Sequence, residues 1–326
     1  MAGAIEDIVR TVSGGVSSRW RDIDPLLPEL PGWTEDSADY LVASGRDGRP
    51  AGFAVYRRAQ AQDTTLDQTW GAATRFMLRP RVAGLPGDDV ATGLDQLLTQ
   101  WQARIAGQPE ARGQDTAAQL TWPTRDIDGI LPLLRHGLQP LSVIAARRRP
   151  GSQPGHPPSK APDGLVIRDA GPADLAAVVE MEMGVVHYDA HFGAAILRPA
   201  TEDLVRADAT KALARQPTWT WLAERDGYPV GLLVVQPPPE SAWIATMTSA
   251  NPVAYLETLF VRPRERGGGT GASLVRHAHT SLDRQGIGVT ILHYSQVNPV
   301  SGPFWSRMGY RPLWTRWEVR PAAALR

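Results

Sequence analysis

The stretch YLETLFVRPRERGGGTGASL, residues 255–274, sets an acid beside a run of glycines. Glu257 stands in an otherwise apolar segment, flanked by Leu256 and Leu259. Partial burial there would raise the pKa of its carboxyl toward a value useful for a general base. The simpler alternative is a solvated edge carboxylate, or one paired with an arginine such as Arg262. Further on, Arg266, Gly267, Gly268, Gly269, Thr270, Gly271 and Ala272 lie between a strand-like run and a helix-like one. In such a loop successive backbone N–H groups, with those of the first helical turn, converge on an oxygen-rich anion. Side chains would block that approach, and glycine also reaches positive φ freely.

Several anions fit such a cradle in principle. A nucleotide triphosphate loop requires Lys and then Ser or Thr after its last glycine, and here Ala272 and Ser273 follow Gly271. Gly267, Gly269 and Ala272 match a dinucleotide pattern, which keeps a dinucleotide-dependent oxidoreductase as a third possibility. The ribose-binding acid that this pattern expects about 20 residues later is missing, because TILHYS contains none. His187 and His191 have metal-ligand spacing on a helix, yet no glutamate completes a zinc motif and no third ligand is evident, so no metal is expected. His277 and His279 point away from each other on a helix, and Trp219, Trp221 and Trp243 read as core. The chain has no cysteine, which excludes disulfides, thiolate metal sites and a cysteine-linked acyl intermediate.

The elements that must position these residues follow from the wider pattern. With 326 residues, two domains are the default expectation. Basic and acidic residues balance at 34 each, so no global field draws the chain to nucleic acid or to an anionic membrane. All but two of the basic residues are arginine, which reads as compositional bias before it reads as phosphate recognition. No basic segment precedes a long apolar one, and a soluble, cytoplasmic protein is expected. Residues 150–163, PGSQPGHPPSKAPD, read as an exposed Pro/Gly-rich linker between a domain at 1–149 and another at 164–326.

Three short matches repeat in one order across that linker: RDGRPAGFAVY with RDGYPVGLLVV, MLRPR with FVRPR, and LRHGLQPL with SRMGYRPL. They point to a duplicated unit. In the second half the pattern predicts a strand at 164–170, a helix after Gly171, and a helix at 201–216 with Thr201 as N-cap. It then predicts strands through 218–236 and 253–261, a helix from Thr270 to Arg284, a strand at 288–295, a short helix near 300–309 and a last strand after it. The class is mixed α/β, with buried central strands.

Arg266, Gly269 and Gly271 fit [QR]xxGx[GA], the pyrophosphate loop of the GNAT (GCN5-related) N-acetyltransferases, which bind acetyl-coenzyme A. The segment AYLETLFVRPRERGGGTGASL resembles that family's fourth strand, loop and third helix, closely like the polyamine acetyltransferases. NPVSGPFWSRMGY resembles its asparagine-led fourth helix. The resemblance implies two tandem GNAT-like domains, each a twisted, mostly antiparallel sheet flanked by helices. It implies that the backbones of Leu259 and Val261 pair with the pantetheine arm, that Arg266 to Ala272 hold the pyrophosphate, and that Asn298 reaches the cleft. It makes Glu257 the base, acting through water.

The resemblance departs at Trp305, where the family often has a tyrosine to protonate the departing thiolate. Tyr294, Tyr310 or water are the substitutes, and Trp305 becomes a cleft wall. By the same resemblance the HYDAH segment, with His187 and Tyr188, borders the acceptor pocket. In the first half AGLPGDD takes the place of the glycine loop; its proline and aspartates predict a degenerate copy without cofactor. The expected activity is direct acetyl transfer from acetyl-CoA to a small-molecule amine, catalysed by the second domain. The alternative is a non-catalytic acyl-CoA-binding or sensing protein.

Overall fold

The structure, a computed structural model, describes residues 2–30, 39–62, 64–84, 89–149 and 162–326. Most of the expected linker (150–161) and the middle of AGLPGDD (85–88) lie outside the described residues. Asp226 (φ +52°) and Gly227 (φ +78°) both take the left-handed conformation. A two-residue hairpin turn demands that conformation, and it joins β7 (Thr220–Arg225) to β8 (Tyr228–Gln236). The matching RDGRP stretch turns β1 (Asp39–Ser44) into β2 (Pro50–Gln60), with Gly48 at φ +79°. Each half therefore contains a hairpin built on an Asp-Gly turn, two residues long in the second half and longer in the first.

The first half contains α1 (Ala2–Ile23), β1, β2, β3 (Thr74–Val82), α2 (Val90–Ala106), β4 (Thr116–Pro123), α3 (Ile130–Arg135) and β5 (Gln139–Arg148). The second contains β6 (Leu165–Asp169), α4 (Leu175–Ala190), α5 (Thr201–Leu213), β7, β8, α6 (Ala242–Ala245) and β9 (Val253–Val261). It ends with α7 (Thr270–Arg284), β10 (Val289–Ser295), α8 (Ser301–Arg307) and β11 (Arg311–Val319). From the hairpin onward the two halves run in parallel. β3 pairs with β4 and β9 with β10, each a parallel pair joined through a helix, α2 or α7.

All described strands belong to one mixed sheet of order β1-β2-β3-β4-β11-β5-β10-β9-β8-β7-β6. The halves exchange their last strands. β5 of the first half pairs with β10, and β11 of the second half pairs with β4, so the two returning strands lie side by side at the centre. Cross-half side chains lock this seam: Arg147 of β5 forks onto Asp283 of α7 at 3.0 and 2.8 Å, and Arg311 of β11 pairs with Asp24.

One sheet face is covered by α2 and α7, which bury Leu94, Leu97, Leu98 and Trp101 in the first half and Leu274, Ala278 and Leu282 in the second. The opposite face carries α1 and α6 over the centre and α4 with α5 over the far strands. Helix α4 lies close to β9 because Gly184 has no side chain: a Cβ there would stand 2.6 Å from the Phe260 ring. Thr201 is the first residue of α5 and not its cap. Its Oγ1 accepts instead from the N–H of Arg198 at 2.9 Å, bracing the turn before the helix.

Candidate active site

Strand β9 carries both halves of the expected chemistry, and its geometry changes at Glu257. Before that residue β9 pairs with β10 on one side, but the ladder stops at Leu256–Leu292. On the other side the register with β8 slips between Val234–Thr258 and Val235–Leu256, leaving Glu257 as the extra residue of a bulge. Past the bulge β9 keeps β8 and has lost β10. Arg262 N–H bonds to Val230 of β8 at 2.9 Å, and strand groups alternate sides, so the N–H and C=O groups of Leu259 and Val261 point into the opened side. Arg266 Nε already donates to the Val261 carbonyl at 3.0 Å, which leaves mainly Leu259 and the Val261 N–H for a ligand.

The glycine run sits at the end of this strand. Gly267 (φ +80°) and Gly269 (φ +88°) are left-handed, and Gly269 caps α7 without a side chain. A Cβ added at Gly267 would meet nothing within 4 Å, and one at Gly268 only a carbonyl 3.9 Å away, so the loop borders open space. At Gly271 a Cβ would crowd Val261 at 3.3 Å. Thr270 is buried with no partner for its Oγ1, and Ala272 follows it in the first turn. The Arg266 guanidinium stacks over the Tyr188 ring at 5.3 Å, which ties the loop to α4. At the corresponding place in the first half Asp89 caps α2 by accepting the N–H of Ala91 at 2.9 Å, and the Arg19 side chain of α1 lies near Gly84.

Glu257 is half-buried, with one oxygen, Oε2, buried and without a hydrogen-bond partner. Arg262 is not its counter-ion, because it forks onto Glu180 at 2.7 and 3.0 Å. Burial pushes the Glu257 carboxyl up to about 7, the Asp208 carboxylate adds to this, and a hydrogen bond from Gln236 and the Arg215 charge oppose it. Trp243 Nε1 donates to Gln236 Oε1 at 3.0 Å, which orients the Gln236 amide so that its NH2 faces Glu257. Glu182 of α4 is buried beside this pair, and desolvation with the Glu257 charge holds its pKa well above the usual carboxylate range. Asp189 is pushed up to about 6 by burial alone. Two helices and a bulged strand thus gather four carboxyl groups on one face, of which the sequence pointed to only Glu257.

Next along the sheet, Tyr255 and His293 share a hydrogen bond of 3.1 Å, and Trp243 stacks on His293 at 6.1 Å. Burial, assisted by Arg316, lowers the pKa of His293 to about 3, so this imidazole is neutral. Trp243 is 55 % exposed and belongs to this wall, where a core position was expected; Trp219 and Trp221 are buried as expected.

The remaining expected residues divide between cleft and core. Tyr294, on the α8 side of β10, is half-buried with its phenol pKa raised by burial. Tyr310 is in the core, hydrogen bonded to His279 at 3.1 Å. Trp305 is also core, edge-on to Phe304 and Tyr310. Asn298 is buried, and its Oδ1 accepts from the N–H groups of Val300 and Ser301 at 3.1 and 3.4 Å, which leaves its NH2 for the cleft. His187 and His191 are both exposed on α4 and just past it. Among the described residues no cluster of His, Asp and Glu could hold a metal, and no helix is long and apolar enough to cross a membrane.

Residues 191–310 match the model of the Acetyltransferase (GNAT) family. The crystal structure of a GCN5-related N-acetyltransferase from Sphaerobacter thermophilus superposes with a TM-score of 0.60 at 14% identity, covering 97% of this chain and 94% of that one. A GCN5-related glucosamine N-acetyltransferase region of a fungal multi-domain GH3 β-N-acetylglucosaminidase gives a TM-score of 0.50 at 14% identity, covering 94% of this chain and 36% of that one. No curated protein matches the sequence. Residues 191–310 are thus similar to the GNAT family, and the chain as a whole shares the fold of the Sphaerobacter thermophilus GCN5-related N-acetyltransferase.

Proposed function

We propose that the chain moves an acetyl group from acetyl-CoA to the amine of a small molecule, directly within a ternary complex, and that residues 164–326 carry the chemistry. The observation that carries this reading is Glu257: a carboxyl raised to about 7, one oxygen unpartnered, at the bulge where β9 leaves β10. Residues Arg266 to Ala272 suit the pyrophosphate of CoA, because their glycines leave the backbone approachable and α7 presents its N-terminus there. Leu259 and Val261 suit the pantetheine arm as an added strand.

An ammonium group entering from the α4/α5 side surrenders a proton to Glu257, directly or through water. The neutral nitrogen then attacks the thioester carbonyl; the C–N bond forms, the C–S bond breaks, and the thiolate takes up a proton. Tyr294, half-buried on the α8 side of β10, is the candidate donor, since a phenol carries its proton at neutral pH. Transfer is direct, since the chain has no cysteine to carry the acyl group.

Release of free thiol from acetyl-CoA over a panel of amines tests the reading. We expect kcat/KM to rise as pH increases through about 7, following loss of the Glu257 proton. Glu257→Gln should lower kcat by roughly 100-fold or more and leave CoA affinity near wild type. Unchanged turnover in that variant removes Glu257 from the mechanism. Binding of acetyl-CoA without thiol release on any amine would favour the sensing alternative.

A further inference from the structure

The register of the sheet puts Ser295 of β10 opposite Ser142 of β5, and Ser142 opposite Arg316 of β11. Directly opposed residues share a sheet face, and His293, two positions before Ser295, marks this as the face that holds Tyr255. Ser142 and Ser295 are 4% and 3% exposed, and neither Oγ has a hydrogen-bond partner. Arg316 Nε is likewise buried and unpartnered. Buried donors are normally satisfied, so three orphans in one row across three strands call for an explanation.

Arg316 has the further peculiarity of having no hydrogen-bonded carboxylate among the described residues. Its one hydrogen bond runs 3.5 Å to the Trp70 carbonyl, and among the described residues it forms no ion pair. Glu318 is the carboxylate whose charge acts on it, but its Oε1 pairs with Arg320, while Arg75 pairs with Asp67 at 2.8 Å. With Arg75 matched by Asp67 and Glu318 shared between Arg320 and Arg316, this neighbourhood holds one guanidinium more than carboxylates. Here the complement is an anion with two or more oxygens, which takes the planar fork of Arg316 and the two hydroxyls together.

Tyr255 connects this row to the proposed base, because both Glu257 and Arg316 act on its phenol. Strands β9 and β11 are separated by β10 and β5, a span of roughly 14 Å between backbones, shortened by the reach of the two side chains. We propose that the acceptor is an amine bearing an anionic oxygen group, carboxylate or phosphate, at its other end, with Arg316, Ser142 and Ser295 holding that group while the amine faces Glu257. The inference rests on the acetyltransferase reading for the position of the amine. It makes the first half a contributor to acceptor binding, since Ser142 lies on β5.

The test uses the full chain, a series of ω-amino carboxylates of increasing length, the matched ω-aminoalkyl phosphates, and the alkylamines and diamines without the anion. Wild type should acetylate anionic amines of one length range with a kcat/KM roughly tenfold or more above the uncharged and diamine controls. The two anionic arms decide between carboxylate and phosphate. Arg316→Gln should raise KM for the anionic amines by roughly 10- to 100-fold with kcat little changed, and leave KM for the alkylamines where it was. Ser142→Ala with Ser295→Ala, a milder change in the same row, should give the same split at smaller size if Arg316→Gln does not fold. Equal preference for charged and uncharged amines in wild type, or equal KM changes for both in the variants, overturns the inference. Calorimetry with the same probes in the presence of CoA separates the two readings. Anion-dependent binding that Arg316→Gln abolishes, without any acetyl transfer, sinks the proposed function and keeps only the anion site at Arg316, whereas transfer without anion dependence does the reverse.

Discussion

A carboxyl held protonated up to about pH 7 costs stability whenever the solution asks it to ionise. The ordinary pKa of Glu257 is 4.5 in an open chain and about 7 in the folded one, so folding is unaffected below 4.5, weakened progressively between the two values, and weakened fully above 7. Glu257→Gln should therefore match wild type in thermal unfolding near pH 4 and exceed it above pH 7, by a margin on the order of 1–2 kcal/mol. A margin that does not grow with pH would mean that Glu257 is not buried in the way described. This residue was legible in the sequence because an acid inside an apolar run is a local anomaly. Glu182, Asp208 and Arg316 were not, since acids on helices and one arginine among many carry no local signal until the fold brings them together.

At the scale of elements, the loop between β9 and α7 tests the cofactor assignment without touching the base. Gly268 is the informative position: its φ is not positive, and a Cβ there meets only a carbonyl at 3.9 Å. Gly268→Val should leave the melting temperature within a few degrees of wild type while weakening CoA binding roughly tenfold or more, because a branched side chain enters the space above the helix N-terminus. Isothermal titration checks it, and undiminished affinity would move the pyrophosphate elsewhere. The helix at 270–284, the paired hairpins and the succession of strands and helices along the second half were readable from periodicity and turn residues. The bulge at Glu257 was not, because it arises from how β8 and β10 part around β9 and leaves no mark on the composition of β9 itself.

For the whole molecule, the expectation of two tandem units captured the duplicated order of elements and gave no hint of the exchange of β5 and β11, which depends on pairing between strands far apart in sequence. Residues 164–326 alone would lack β5 between β10 and β11, opening a gap in the middle of their sheet. We expect that fragment to be unfolded or aggregated by circular dichroism and sedimentation, and to recover its structure when co-expressed with residues 1–149. A folded, monomeric 164–326 would contradict the exchange. The exchange also behaves as a ratchet. The first half was free to diverge at the start of α2, where Asp89 caps the helix by accepting the N–H of Ala91. It was not free to disappear, because each half is the other's missing strand.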